Sequence, residues 1–173
     1  ADVREQPLRV LLADDHPVVR EGIRSCLSRH EDLEVIGEAS NGAEAVSLAK
    51  ALSPNIVLMD INMPELNGLE ATRRLHREVP GAKVLALTVH DNKEYVLEIV
   101  QSGARGYVLK DASPDELLRA IRAVQNGEAF FSPRVAKYLL NDCVERANEP
   151  ATSKSSPLSI RESEVLALIA DGL

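Results

Sequence analysis

The sequence predicts an α/β fold: a doubly wound, five-stranded parallel sheet of order 2-1-3-4-5, followed by a helical linker and a truncated helical domain. Three observations lead to it. Five short apolar runs alternate with longer amphipathic stretches as far as residue 130, the alternation stops after Gly127, and a Ser- and Pro-rich tract (148–157, NEPATSKSSP) sets residues 158–173 apart.

The predicted strands are Val10 to Ala13, Leu33 to Ala39, Ile56 to Met59, Val84 to Leu87 and Gly106 to Leu109. All but the second are near-continuously apolar, as strands covered on both faces should be. Leu33 to Ala39 is interrupted by Glu34 and Gly37 and reads as an edge strand. Helix patterns lie between these runs, at about 17–29, 42–51, 68–78, 92–102 and 114–126. Asn41 with Glu44, and Ser113 with Pro114 and Glu116, place a capping side chain and a first-turn acid where orphan backbone N–H groups need acceptors. Five such βα units with right-handed crossovers suit the flavodoxin-like order and leave a crevice at the carboxyl ends of strands 1 and 3.

The chain divides into three segments: 1–130 as the main domain, 131–157 as a helical linker with a flexible tract, and 158–173 as the first helix of a truncated helical domain. Ser132-Pro133 opens the linker helix, which runs to about Arg146, and Ser159 with Glu162 forms a capping box before Val165, Leu166, Leu168 and Ile169. One amphipathic helix of this length cannot bury its apolar face alone.

The composition, 45% hydrophobic and 27% charged over 173 residues, is that of a chain that folds around one main core. The net charge of −7 divides into −6 over residues 1–130 and −1 over 131–173, which argues against nucleic-acid binding through the bulk surface. Without a membrane-length apolar run or a signal-like N-terminus, a cytoplasmic protein with no membrane partner is expected. Cys26 and Cys143 read as reduced structural thiols.

Four of the five apolar runs end in a polar group: Asp14 and Asp15, Asp60, Thr88 and Lys110. In a parallel sheet of this order these ends converge on one rim. Three carboxylates there repel one another unless a cation sits among them, and Mg²⁺, a hard ion with oxygen ligands, is the first candidate. Asp60 could then act as a nucleophile toward phosphorus, with Mg²⁺, Lys110, Thr88 and backbone N–H groups neutralising the transferred oxygens. No His or Glu is placed as a general base, so a switch that receives a phosphoryl group is expected rather than an enzyme. Each residue has a plainer reading: Asp15 capping the next helix, Thr88 ending a strand, Lys110 solvated and Tyr107 in the core. Four such endings in compatible order are hard to obtain by chance.

These residues resemble the receiver domain of two-component response regulators. The resemblance covers about residues 7–127 through Leu-Leu-Ala-Asp14-Asp15-His16-Pro17, Leu58-Met59-Asp60-Ile61-Asn62-Met63-Pro64, Asn67-Gly68, Leu87-Thr88 and Gly103 to Asp111. Asp-His-Pro and Gly-Ala-Arg-Gly-Tyr are similar to the NarL/FixJ subfamily. The resemblance implies phosphorylation of Asp60 by a sensor histidine kinase, with Mg²⁺ held by Asp15, Asp60 and the Asn62 carbonyl, and by Asp14 through water. It also implies a switch in which Thr88 and Tyr107 move together, and a phosphorylation-dependent homodimer with Leu97 and Val100 on or near its surface. Asp111 stands where many receivers have Pro; a cis bond there would cost about 2.5–4 kcal/mol, which leaves the isomer of the Lys110–Asp111 peptide open.

Pro157 to Leu173 resembles the opening of a LuxR-type helix-turn-helix domain, whose complete form would bind DNA; the recognition helix is not in this stretch. Transcriptional control is therefore expected of the full-length form. A receiver acting only as a protein-interaction module or phosphate sink remains the alternative. An aspartyl phosphatase would need an acid where Asn62 stands, and a flavin binder would need a Ser/Thr/Gly-rich loop after strand 1. His16, His30, His76 and His90 show no metal-ligand spacing; His30 and His76 read as solvated, and His90, two residues past Thr88, is a candidate for tuning phosphoryl lifetime.

Overall fold

The computed structural model describes residues 6–89, 92–131, 137, 139–141 and 144. The expectations for His90, Cys143, the tract 148–157 and the helix of 158–173 lie outside the described residues. Residues 137, 139–141 and 144 are helical, within the stretch expected to form the linker helix.

The chain runs β1 (Leu8–Ala13), α1 (Pro17–Ser28), β2 (Leu33–Ala39), α2 (Gly42–Leu52), β3 (Ile56–Asp60), α3 (Gly68–Glu78), β4 (Lys83–Thr88), α4 (Lys93–Gln101), β5 (Gly106–Leu109) and α5 (Pro114–Gln125). The strands form one parallel sheet in the order β2-β1-β3-β4-β5. Adjacent strand residues alternate between two cores, as the period of two requires. Leu11, Ala13, Val57, Met59, Val84, Ala86 and Tyr107 pack under α2, α3 and α4. Val10, Leu12, Ile56, Leu58, Leu85, Leu87 and Val108 pack against Leu27 of α1 and Leu117, Ala120, Ile121 and Val124 of α5. β2 is only half-buried through its middle, consistent with an edge strand.

Local chemistry explains where the helices begin. Asn41 and Ser113 accept from the backbone N–H groups of Glu44 and Glu116 at 2.8 and 3.2 Å. Asn67 and Asn92 cap α3 and α4 in the same way, bonding Glu70 and Tyr95 N–H at 2.9 Å each. α1 starts differently: His16 is its N-cap and Pro17 its first residue, and no side chain caps it.

On α4, Val96, Ile99 and Val100 share one face at helical spacing and are fully buried. This corrects the expectation for Val100, which lies in the core rather than on a dimer-forming surface; Leu97 is partly buried against the same cluster. At the far edge, the chain beyond α5 returns to β5. Phe130 bridges Gly106, Tyr107 N–H donates to the Phe130 carbonyl at 3.1 Å, and Phe130 N–H donates to the Arg105 carbonyl at 3.1 Å.

Candidate functional site

β1 and β3 are neighbours whose crossovers leave in opposite directions, so their carboxyl ends flank the crevice of the fold. Asp14 follows β1 directly, and its N–H is fixed by the Ala39 carbonyl at 3.0 Å. Asp60 is the last residue of β3, and the next residue, Ile61, donates to the Leu87 carbonyl at 3.2 Å. Both aspartates are almost wholly buried, at 1% and 2% exposure, whereas Asp15 is half-buried.

Lys110 comes from the end of β5, where its N–H is held by the Thr88 carbonyl at 2.9 Å. Its Nζ lies 3.0 Å from Asp60 Oδ2 and 3.1 Å from Asp14 Oδ2. Burial alone would lower the Lys110 pKa, but the two carboxylates outweigh it and hold the ammonium above its ordinary value. Asp60 goes the other way. Burial, reinforced by the charge of Asp14, outweighs the help of Lys110 and the Asn62 N–H and pushes its carboxyl up to about 6.

Asp60 Oδ1 accepts from Asn62 N–H at 3.2 Å. The loop carrying Asn62 is pinned at both sides: Gly68 N–H bonds the Ile61 carbonyl at 2.9 Å and Gly42 N–H bonds the Leu66 carbonyl at 3.0 Å. Gly68 is needed at that point, because a Cβ there would stand 2.0 Å from the Asp60 carbonyl oxygen. Arg20 of α1 donates to the Asp14 carbonyl from behind.

Thr88 closes β4 at 1% exposure, beside Leu109 in register, on the same rim. Tyr107 sits two residues earlier than Leu109 on β5, buried, with its ring 6.1 Å from that of Phe131. The structure thus gathers Asp14, Asp15, Asp60 and Lys110 into one cluster, sets Asn62 and Thr88 at its border, and puts Tyr107 in the adjoining core. His90 is outside the described residues. The Lys110–Asp111 peptide is trans, as are the other described peptides.

Three shielded carboxylate oxygens, Asp14 Oδ2, Asp15 Oδ1 and Asp60 Oδ2, have no aligned hydrogen bond among the described residues. Lys110 and His16 stand 2.9–3.1 Å from them as ion pairs. Buried anionic oxygens left in that state fit a hard divalent cation, so the residues present suit Mg²⁺.

The spacing of histidines in the sequence did not single out His16. Its Nδ1 lies 3.1 Å from Asp14 Oδ1 and 2.9 Å from Asp15 Oδ1, and its N–H donates to Asp14 Oδ1 at 2.8 Å. The one available signal was its position, directly after the acid pair and directly before the proline that starts α1. No helix among the described residues is long and apolar enough to cross a membrane.

Residues 10–122 match the response regulator receiver domain family. The transcriptional regulatory protein YxjL of Bacillus subtilis is 40% identical over 172 residues, covering 99% of this chain and 79% of that protein. The nitrate/nitrite response regulator NarL of Escherichia coli K12 is 37% identical over 170 residues, with 98% and 78% covered. Among solved structures, a LuxR-family two-component response regulator from Aurantimonas superposes with a TM-score of 0.73 at 37% identity, covering 80% of this chain and 99% of that one. The isolated receiver domain of RcsB from Salmonella enterica, solved with the phosphomimetic BeF₃⁻, gives 0.70 at 27% identity, with 77% and 99% covered.

Proposed function

Because the chain belongs to the response regulator receiver family, within the LuxR-type transcriptional regulators, we propose that it is a phosphoryl-activated switch whose acceptor is Asp60. The single observation that carries this reading is the buried cluster in which Lys110 faces both Asp60 and Asp14 while three carboxylate oxygens stay without aligned donors.

In the proposed reaction a carboxylate oxygen of Asp60 attacks the phosphorus of a phosphohistidine on a sensor kinase. The O–P bond forms, the P–N bond breaks, and the imidazole leaves with its electron pair. Lys110 pairs with charge on the transferred oxygens, and the Thr88 hydroxyl donates to them. A divalent cation held by Asp14, Asp15, Asp60 and the Asn62 carbonyl would, when bound, neutralise the remaining negative charge. Thr88 and Tyr107 form the switch pair.

The division into a receiver at 1–130, a linker at 131–157 and a helix-turn-helix opening at 158–173 belongs to the same reading. So do a phosphorylation-dependent homodimer, DNA as the target of the complete helix-turn-helix domain, and a cytoplasmic setting with a histidine kinase as partner. The name of YxjL as a transcriptional regulatory protein supports the output, and the RcsB receiver, solved in the presence of a phosphomimetic, supports a phosphoryl-responsive domain.

The deciding experiment is intact mass after incubation with acetyl phosphate and Mg²⁺, with metal-free and Asp60→Ala samples alongside. One phosphoryl adduct that requires both the metal and Asp60 is expected. Folded protein that gains no adduct, or gains it without Asp60, refutes the proposal.

A further inference from the structure

We infer that His16 is a metal-specificity residue: its Nδ1 joins the carboxylates of Asp14, Asp15 and Asp60 and biases the site toward borderline transition cations of the Co²⁺ and Zn²⁺ class over Mg²⁺. This rests on the proposal that the acidic rim holds a divalent cation. It adds a nitrogen donor to a set otherwise made of oxygen.

One potential ligand atom from each of Asp14, Asp15, His16 and Asp60 lies within 4.8 Å of every other. Ligands around a single ion at bond lengths of about 2.0–2.2 Å stand up to about 4 Å apart, so less than an ångström of adjustment closes this group on one cation. Asp14 and Asp60 are nearly inaccessible, and each keeps an oxygen without an aligned donor.

His16 is the N-cap of α1, yet its side chain makes no cap hydrogen bond and turns instead to the two acids at 3.1 and 2.9 Å. Pro17, with its fixed φ and no N–H of its own, starts the helix without a side-chain cap. Main chain and side chain act together. The His16 N–H is tied to Asp14 Oδ1, which sets Cα beside the carboxylates, and the ring, 63% exposed, reaches them from the solvent side.

A neutral imidazole nitrogen is a poor ligand for Mg²⁺ and a good one for borderline transition ions, so replacing one water or oxygen by Nδ1 changes preference rather than capacity. Lys110 lies against Asp14 Oδ2 and Asp60 Oδ2, whereas His16 lies against the Oδ1 atoms of Asp14 and Asp15, so the two basic groups use different oxygens.

The test uses the whole chain with Co²⁺ and Mg²⁺ as probes. Affinities are measured by calorimetry, and proton NMR of the Co²⁺ form is searched for a hyperfine-shifted exchangeable imidazole proton. Wild type should show that proton, and His16→Gln should lack it. The Co²⁺-to-Mg²⁺ affinity ratio should fall by at least about tenfold in His16→Gln, the loss that even an outer-shell partner of a metal ligand produces. His16→Asp, which returns an oxygen donor, should lower the ratio as well, so the result does not hang on one variant. If both cations bind wild type but no shifted imidazole appears and the ratios agree across the variants, the inference is overturned while the metal-dependent switch stands. If neither cation binds folded wild type, both are overturned.

Discussion

Lys110 Nζ stands 3.0 Å from Asp60 Oδ2, although β5, which Lys110 follows, is separated from β3 by the whole of β4. The side chain therefore crosses the end of a strand to reach a carboxylate that burial has pushed up to about 6. Removing the ammonium while keeping an apolar stem, Lys110→Met, should leave Asp14 and Asp60 uncompensated. The metal-free protein at pH 7 should lose stability near the lower end of the about 3–5 kcal/mol that breaking a buried pair costs, because Lys110 retains some exposure. Urea denaturation measures this, and equal midpoints for variant and wild type would show that the pair contributes nothing.

The pH dependence comes from Asp60, whose carboxyl is raised from 3.8 to about 6 on folding. Between those values the folded state holds a proton that the unfolded state has lost, so the contribution of Asp60 to stability falls as pH rises through that window. A shift of this size corresponds to at most about 3 kcal/mol. Metal-free wild type should lose stability between about pH 4 and 6 from this source, whereas Asp60→Asn should lack that component and be the more stable of the two at pH 7. Urea midpoints across the range decide it; parallel curves would contradict the assignment.

Divalent cation should reverse the penalty. At a Mg²⁺ concentration about a hundredfold above Kd, linkage gives roughly 2.7 kcal/mol of added stability. EDTA should abolish the gain, and Asp14→Asn should shrink it, because Asp14 is one of the buried carboxylates with an oxygen lacking an aligned donor. Thermal unfolding with and without Mg²⁺ provides the measurement.

Gly68→Ala probes the support of the site rather than its chemistry. The added methyl would meet the Asp60 carbonyl oxygen at 2.0 Å, and the obstacle is backbone that cannot rotate away. The cost should reach at least the about 1–3 kcal/mol typical of overpacking, and Mg²⁺ affinity should fall with it as Asp60 is displaced. A variant of native stability and affinity would mean that the loop yields freely.

Gly106→Ala tests the rung that joins the post-α5 chain to the sheet. Its Cβ would stand 2.6 Å from the Phe130 carbonyl, the acceptor for Tyr107 N–H. Hydrogen exchange at the Tyr107 amide should accelerate, with a stability loss of about 1–3 kcal/mol. Unchanged protection at Tyr107 would show that the rung survives.

Strand and helix positions were largely legible because each strand is a short apolar run and each helix an amphipathic one, and the observed boundaries differ by only a residue or two. β1 begins at Leu8 rather than Val10 because Arg9, although polar, pairs in register with Glu34 on the edge strand. The caps at Asn67 and Asn92 were present as residue types but not singled out, since each asparagine is also an ordinary loop residue until its side chain is seen to accept from the N–H three positions on. Val100 shows the opposite failure. The resemblance set it on or near a dimer-forming surface, but helical phase turned its side chain inward beside Val96 and Ile99.

The sequence by itself determined the five βα units, their parallel order and the residues at the ends of the strands, because periodicity and turn chemistry are local and the handedness of crossovers leaves few topologies. Only the tertiary structure decided which oxygens of Asp14, Asp15 and Asp60 lack aligned donors, that Lys110 reaches over β4, and that the His16 ring faces the acids. Those facts depend on distances of a few ångströms between segments far apart in the chain, and burial and Coulomb energies respond to such distances rather than to residue spacing.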